Sequence, residues 1–320
     1  FMFKRSFEKF RKDFIGEKGA FDFLAEFGLG ILDNATVRTV GTVVRSGASG
    51  NPEGTFIRLY DIDAKNKELT FSQICSGSAD GQIQREYRVP LSEFEYIPWQ
   101  PLNYAIPDEL RKLHQSDTKI GIELGEDGKR VADVATGLST GDNSRFLRKH
   151  WETPDISYTY PYAKGGSDAW ILPHVDYEVL YRADGREMRP LPGSVLRNTQ
   201  YFGRAGLTWT KVKSTGRRFG YLPEGNIFDH VGSMVFPEDE SNLWTLLAVL
   251  NSDVYHGLFL SMTPDREWTP GIVNRIPWKK ELEERPELKA IAKEQYTETI
   301  KGQTTDPTSP YYIGPELLPR

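Results

Sequence analysis

The chain has 320 residues, 38% of them hydrophobic, 27% charged and 12% aromatic, with a formal net charge of −5. That length exceeds the roughly 100–200 residues of one domain, so two units are expected, and the composition excludes a disordered or fibrous protein. The single cysteine, Cys75, excludes an internal disulfide and a multi-cysteine zinc site, and is read as an inert core thiol in a reducing compartment.

The N-terminal "FMFKRSFEKF" has no long apolar region and no small-residue cleavage site, so it does not read as a signal peptide. The following "SFEKFRKDFIGEKG" places Phe7, Phe10 and Phe14, with Phe3 a turn earlier, on one helical face; Ser6 can cap that helix and Gly16 or Gly19 can end it. Three strands are expected in "FDFLAEFG", "VRTVGTVVRS" and "TFIRLYDI", with "SGASGNPEG" as a surface turn. A helix followed by strands suggests the closing part of an α/β sheet. Lys65 to Ser92 has mixed polarity and a Gly/Ser/Asp cluster, and is read as a flexible connection, whereas "IPDELRKLHQ" is a short helix with Pro107 at its start.

From Gly137 onward glycines, prolines and aromatics multiply, and "WILPHVDYEVLYR" and "GLTWTKVKS" read as strands of a second, β-rich unit. An apolar helical segment, Leu243 to Met262, follows, with a division at Asn251 and Ser252; its interruptions by Asn251, Ser252, Asp253 and His256 leave it short of a membrane span. "ELEERPELKAIAKEQYTETI" is a charged helix interrupted by Pro286, and a polar tail ends the chain. The absence of a span and of a signal peptide predicts a cytoplasmic protein. The fold class expected is α+β.

The net negative charge hides an asymmetry: Gly137 to Val235 carries 13 Lys/Arg against 10 Asp/Glu, leaving 27 against 35 elsewhere. In "GLSTGDNSRFLRKHW", Asp142 or Asn143 can cap a helix beginning near Ser144, on which Arg145, Arg148 and Lys149 share one face and Leu147 and Trp151 the other. Glycines before a helix N-terminus also suit an anion, although no Gly-Lys-Ser/Thr makes this a P-loop. A plain capped surface helix is the alternative. The stronger signal is "RNTQYFGRAGLTWTKVKSTGRRFGYLP", Arg197 to Pro223, which holds Arg197, Arg204, Lys211, Lys213, Arg217 and Arg218 and no acid, interleaved with Tyr201, Phe202, Trp209, Phe219 and Tyr221. Such a run suits phosphate neutralisation with stacking, and "STGRRFG" suggests an arginine-bearing hairpin tip shaped for guanine edges; an exposed β-ribbon of solvated cations is the alternative. In "YPYAKGGSDAW", Lys164 stands beside a double glycine that either admits a ligand or makes a turn. The candidate DNA-contacting residues are therefore Arg145, Arg148, Lys149, Lys164, Arg204, Lys211, Lys213, Arg217 and Arg218. The five histidines lack metal spacing, and no nucleophile elbow is present.

Taken in order, "GLSTGDNSRFLRKHWE", "YPYAKGGSDAW", "YFGRAGLTWTKVKSTGRRFGYLPEGNIFD", "LLAVLNSDVYHGLFL" and "GIVNRIPW" resemble the C-terminal half of large bacterial DNA adenine methyltransferases, the PglX-type enzymes of BREX phage defence and the type IIG restriction-modification enzymes. "SFEKFRKDFI" and "FLAEFGLGILDNATVRTVGTVVR" resemble the segment that closes their methyltransferase sheet. The resemblance spans roughly Ser6 to Trp278. It implies residues 1–136 as the end of the methyltransferase domain with a connector, 137–280 as a target-recognition domain containing the apolar helical segment, and 281–320 as a charged helix and tail. It further implies duplex DNA as partner, an upstream catalytic domain, restriction or phage-defence subunits as companions, and methyl transfer from S-adenosylmethionine to a flipped adenine by the full-length enzyme. The family's cofactor loop and its Asn-Pro-Pro-Tyr/Phe motif are absent from the sequence; "NPEG" at Asn51 lacks the second proline and the aromatic. The fragment is thus expected to bind no cofactor and to be inactive alone, and its start at Phe1 suits a C-terminal piece. The alternative reading is a protein-interaction module of a degenerate methyltransferase assembly.

Overall fold

The computed structural model describes residues 1–32, 36–47, 50–78, 84–123, 130–153, 158–165, 170–212, 218–263 and 267–313. The fold is mixed α+β with several sheets, and the chain clusters into two units: Phe1–Gln115 with Leu260–Pro264, and Ser116–Phe259 with Asp265–Arg320.

In the first unit, β1 (Gly19–Gly28), β2 (Thr39–Ser46), β3 (Glu53–Arg58) and β4 (Glu86–Pro90) form one sheet in the order β2-β1-β3-β4, with β1 and β3 parallel and the other pairs antiparallel. The three strands expected from periodicity are all present. β1 is mostly buried because it lies between two partners, and its Ala20, Phe21 and Leu24 pack with Phe56, Leu91 and Phe94 in one core. The N-terminal helical segment is three short pieces, Arg5–Phe7, α1 (Glu8–Lys12) and a wider turn at Asp13–Glu17. Phe10 and Phe14 do pack on Phe21, but Phe7 is 42% exposed, and Ser6 sits inside the first turn instead of capping it. The reason is Arg11. Its guanidinium is fully buried and donates to the carbonyls of Phe1, Lys4, Trp99 and Gln100, so the helix is held by a buried cation and not by a continuous aromatic stripe.

Lys65 to Ser92 is not a flexible connection where it is described. It contains α2 (Lys67–Cys75) and β4, and buried Lys67 donates to the carbonyls of Phe27 and Leu29 at the end of β1. That polar residue is structural, which is why the mixed polarity gave no periodic signal. Cys75 is exposed, against the expectation of a core thiol, because it lies at the last turn of α2 while Ile74 takes the buried position. α3 (Asp108–Leu113) begins after Pro107 as expected.

The second unit holds a four-stranded antiparallel sheet and a second four-stranded sheet that is parallel at one edge. β5 (Ala132–Ala135), β11 (Gly206–Trp209), β12 (Phe219–Leu222) and β14 (Met234–Pro237) make the first, in the order β12-β11-β14-β5. β7 (Leu147–Lys149), β8 (Thr159–Ala163), β9 (Tyr177–Leu180) and β13 (Ile227–Phe228) make the second, in the order β13-β8-β9-β7, while β6 (Ser139–Thr140) pairs with β10 (Ser194–Val195). Buried Tyr162 donates to Asp229 at 2.6 Å, tying β8 to the turn after β13. Burial and the adjacent carboxylate both push the Tyr162 phenol well above its usual range.

The apolar stretch is two helices, α5 (Leu243–Leu250) and α6 (Asp253–Met262), and no described helix is long and apolar enough to cross a membrane. The division falls at Asn251, as expected, because its amide donates to the carbonyls of Leu247 and Phe219 and accepts from the Phe219 N–H. One buried side chain thus ends a helix and anchors β12. After α7 (Pro270–Val273), α8 (Pro286–Thr304) packs on α5, with Tyr296 against Trp244. Pro286 starts this helix and does not interrupt it, because its missing N–H costs nothing at the first position.

Candidate functional site

The segment from Gly137 to Trp151 is shaped by two glycines and one aspartate. A Cβ on Gly137 would lie 1.8 Å from the Phe228 carbonyl oxygen, and Gly141 has φ +75°, so both positions are glycine for packing and turn geometry. Asp142 accepts from the Arg145 N–H at 3.1 Å and caps the helix as expected. That helix, α4 (Asn143–Phe146), lasts one turn, too short to gather amides for an anion, and the chain passes directly into β7.

The shared cationic helix face is therefore replaced by an alternation. Leu147 is buried, Arg148 lies opposite Glu178 in the register, and Lys149 lies opposite Tyr177, because successive strand residues point to opposite sides. Arg145 stays on α4 and pairs with Glu187 at 3.1 Å. Arg148 donates to the carbonyls of Ser144 and Leu147. Trp151, expected to pack, is 62% exposed.

The sheet brings together two residues that are fifteen positions apart. Lys149 Nζ lies 4.0 Å from the centre of the Tyr177 ring and Lys164 Nζ 5.1 Å from it, and Lys149 is also 5.4 Å from the Trp151 ring. Lys149 Nζ lies 3.8 Å from the Asp176 carboxylate, and the Lys149 backbone N–H donates to Glu152 at 2.7 Å. Two ammonium groups sharing one phenol ring beside an exposed indole form a surface that is positive and able to stack.

The acid-free run is organised differently. β11 and β12 form the expected hairpin, with Trp209 opposite Phe219, but all four residues of β11 and three of β12 are buried. Its aromatics are spent inside. Phe219 and Trp268 flank Phe259, the last two rings stacked at 4.2 Å, and Trp209 donates to the Trp268 carbonyl. Arg218 is 5% exposed with its guanidinium 4.0 Å above the Trp268 ring, and burial lowers its pKa to about 10. It packs on the Trp268 ring and lines a small hollow with His174 and Thr210. Lys211 pairs with Glu267 at 3.0 Å. Arg204 is exposed over Tyr201 and Phe236, and the Tyr201 hydroxyl donates to Asp133 at 2.6 Å. Lys213 and Arg217, with most of the hairpin tip, lie outside the described residues, as do Gly166 to Ala169 of the double-glycine turn.

Sequence reasoning missed a third feature. A hollow of about 550 Å³ is lined by Tyr158, Tyr160, Tyr181 and Phe202 together with Asp184 and Arg189. Tyr158 (φ 72°), Ala183 (φ 42°) and Asp184 (φ 54°), all at its wall, have left-handed backbones that non-glycine residues rarely adopt. The rings come from β8 and the residue before it, the residue after β9 and the turn before β11, and no local pattern announces that they meet. In the first unit, the glycines of the Gly28-Leu29-Gly30 turn after β1 are required by close packing within that unit. A Cβ on Gly28 would lie 2.7 Å from the Tyr60 Cα, and one on Gly30 would lie 2.9 Å from the Ala64 Cβ.

No family model matches the chain. It is 26% identical over 298 residues to the adenine-specific methyltransferase BrxX of Escherichia coli O9:H4 (strain HS), a match covering 86% of this chain and 22% of that protein. It is 24% identical over 267 residues to the adenine-specific methyltransferase PglX of Lacticaseibacillus casei (strain Zhang), covering 77% of this chain and 21% of that one. The chain is a homologue of these adenine-specific methyltransferases. It spans about a fifth of the length of the curated relatives it matches. Among solved structures, it is similar to the type IIG restriction endonuclease BpuSI (13% identity, TM-score 0.41, 90% of this chain and 40% of that one). It is likewise similar to the type IIL restriction-modification enzyme MmeI in complex with DNA (13% identity, TM-score 0.44, 92% and 39%).

Proposed function

We propose that the chain recognises duplex DNA as part of a larger, S-adenosylmethionine-dependent adenine-specific methyltransferase of a phage-defence or restriction-modification system. The carrying observation is the pair Lys149 and Lys164 over Tyr177, beside exposed Trp151, in a chain homologous over most of its length to adenine-specific methyltransferases. Lysine ammoniums neutralise phosphates and set the register of a duplex, and an exposed indole adds apolar contact. Arg145, Arg148 and Arg204 extend the positive surface, and Lys213 and Arg217, which fall between β11 and β12 in the sequence, are assigned to base edges.

In this reading the sheet β2-β1-β3-β4 closes the methyltransferase fold and the second unit carries recognition. The methyl donor is assigned to the rest of the parent protein, because the family's cofactor loop and Asn-Pro-Pro-Tyr/Phe motif are not in this sequence. The parent works in the cytoplasm, with catalytic and defence subunits as companions.

The test is selection from a randomised duplex pool by the purified chain at low and moderate salt. Enrichment of one short motif containing an adenine, with affinity falling as salt rises because bound phosphates release counterions, is the expected result. A retained pool indistinguishable from the input at both salts would overturn the reading.

A further inference from the structure

The hollow beside Tyr158 has properties that a flat duplex does not need. It is concave, about 550 Å³, and large enough for one nucleotide-sized ligand. Tyr158 and Tyr160 are 59% and 40% exposed, although phenol rings are ordinarily packed more deeply. Deeper in, Tyr160, Tyr181, Phe202 and Phe228 form a series of edge-to-face pairs with centroid separations of 6.4, 5.6 and 5.4 Å. The exposed end is thus a rigid aromatic wall continued from the core.

Polar groups stand at its rim. Arg189 lines the hollow and is held by a bond to the Asp184 carbonyl, and Arg182, which lines a neighbouring hollow, places its guanidinium 5.6 Å from the Tyr158 ring. The Tyr181 N–H donates to the Tyr158 carbonyl, which fixes Tyr158 in its left-handed conformation. Strain of this kind persists only where surrounding contacts impose it, and it gathers here around one hollow. A π-face, a carboxylate able to accept from an exocyclic amine, and arginines able to bind phosphate are the three groups that match a single nucleotide.

We propose that this hollow receives one unstacked, amine-bearing nucleobase of a DNA strand, with the base against Tyr158 and Tyr160, its amino group toward Asp184 and its phosphate toward Arg182 and Arg189. The inference rests on DNA being the partner and adds a site for an unpaired nucleotide to the paired-duplex surface of Lys149 and Lys164. Fully paired DNA keeps its bases inside the stack, so the hollow is used only where a base is already displaced.

The experiment compares the full chain's affinity, by fluorescence anisotropy at one salt, for a paired duplex, the same duplex with a one-cytosine bulge, and the same bulge carrying an abasic residue. The abasic duplex reproduces the bend without the base. Base–aromatic stacking predicts that the cytosine bulge binds about 5- to 100-fold more tightly than the abasic one. Y158A should erase that ratio while changing paired-duplex affinity by less than about twofold, and Y158F, which keeps the ring, should retain it. Equal affinity for cytosine and abasic bulges, with paired duplex still bound, overturns this inference and leaves duplex recognition standing. Failure to bind any of the three overturns both. Free dCMP competing for the hollow, with no difference between the two bulges, reassigns it to a soluble nucleotide and overturns the strand-bound version.

Discussion

Two regions of the second unit both interleave cations with aromatics, yet they place the two kinds of side chain oppositely. Around β7, β8 and β9 the rings of Trp151, Tyr158 and Tyr160 are exposed and the lysines lie across the ring of Tyr177. Around β11 and β12 the rings of Trp209 and Phe219 are fully buried, and Arg218 follows them inward onto Trp268. Spacing is similar in the two; burial is not. All of β11 and most of β12 are buried, whereas the first region pairs the partly exposed strands β7, β8 and β9 with exposed residues beside them. An acid-free basic run is therefore not by itself evidence of a binding face when the strands that carry it are buried: acids are missing because burial disfavours them, and buried cations must stack or pair.

Substitutions can break this contrast, beginning with the core. Trp209→Ala should destabilise the second unit by about 3–5 kcal/mol, read as a lower urea midpoint, because it removes a fully buried ring from the Phe219, Phe259 and Trp268 cluster. An unchanged midpoint would show that the β11 aromatics are not core. Arg218→Ala should cost about 2 kcal/mol, because a desolvated guanidinium no longer stacks on the Trp268 ring. Its DNA affinity, corrected for the folded fraction, should be that of the parent chain; a corrected fall in affinity would return Arg218 to the surface. Asp142→Ala removes the cap of a single-turn helix and should lower stability by about 1 kcal/mol, with Asp142→Asn recovering most of it. The smallest change in stability, under about 1 kcal/mol, is expected for Lys149→Ala with Lys164→Ala, yet this pair should have the clearest effect on binding. The slope of log affinity against log salt should shrink by about 0.9 for each phosphate that is no longer neutralised. A slope that does not move would remove the cluster from the interface.

Much of the local structure was legible before the fold. The three strands of the first unit, the β11–β12 hairpin, α3 after Pro107, the Asp142 cap and the division at Asn251 all follow from side-chain period and capping chemistry, which act over a few residues. Homology to adenine-specific methyltransferases was equally legible, because it is carried by ordered motifs along the chain. What the sequence could not determine was which side of each element faces inward. Arg145, Arg148 and Lys149 have helical spacing, but pairing of β7 with β9 turned two of them into strand residues pointing apart. Lys67 and Arg11 look like surface cations and are buried, because carbonyls distant in sequence complete their hydrogen bonds. The Tyr177 cluster and the Tyr158 hollow depend on β8 pairing with β9 across the intervening residues 164–176, an arrangement set by sheet register. Local period and capping therefore determined the elements, whereas burial, charge pairing and the meeting of remote rings were decided by tertiary packing that no short stretch encodes.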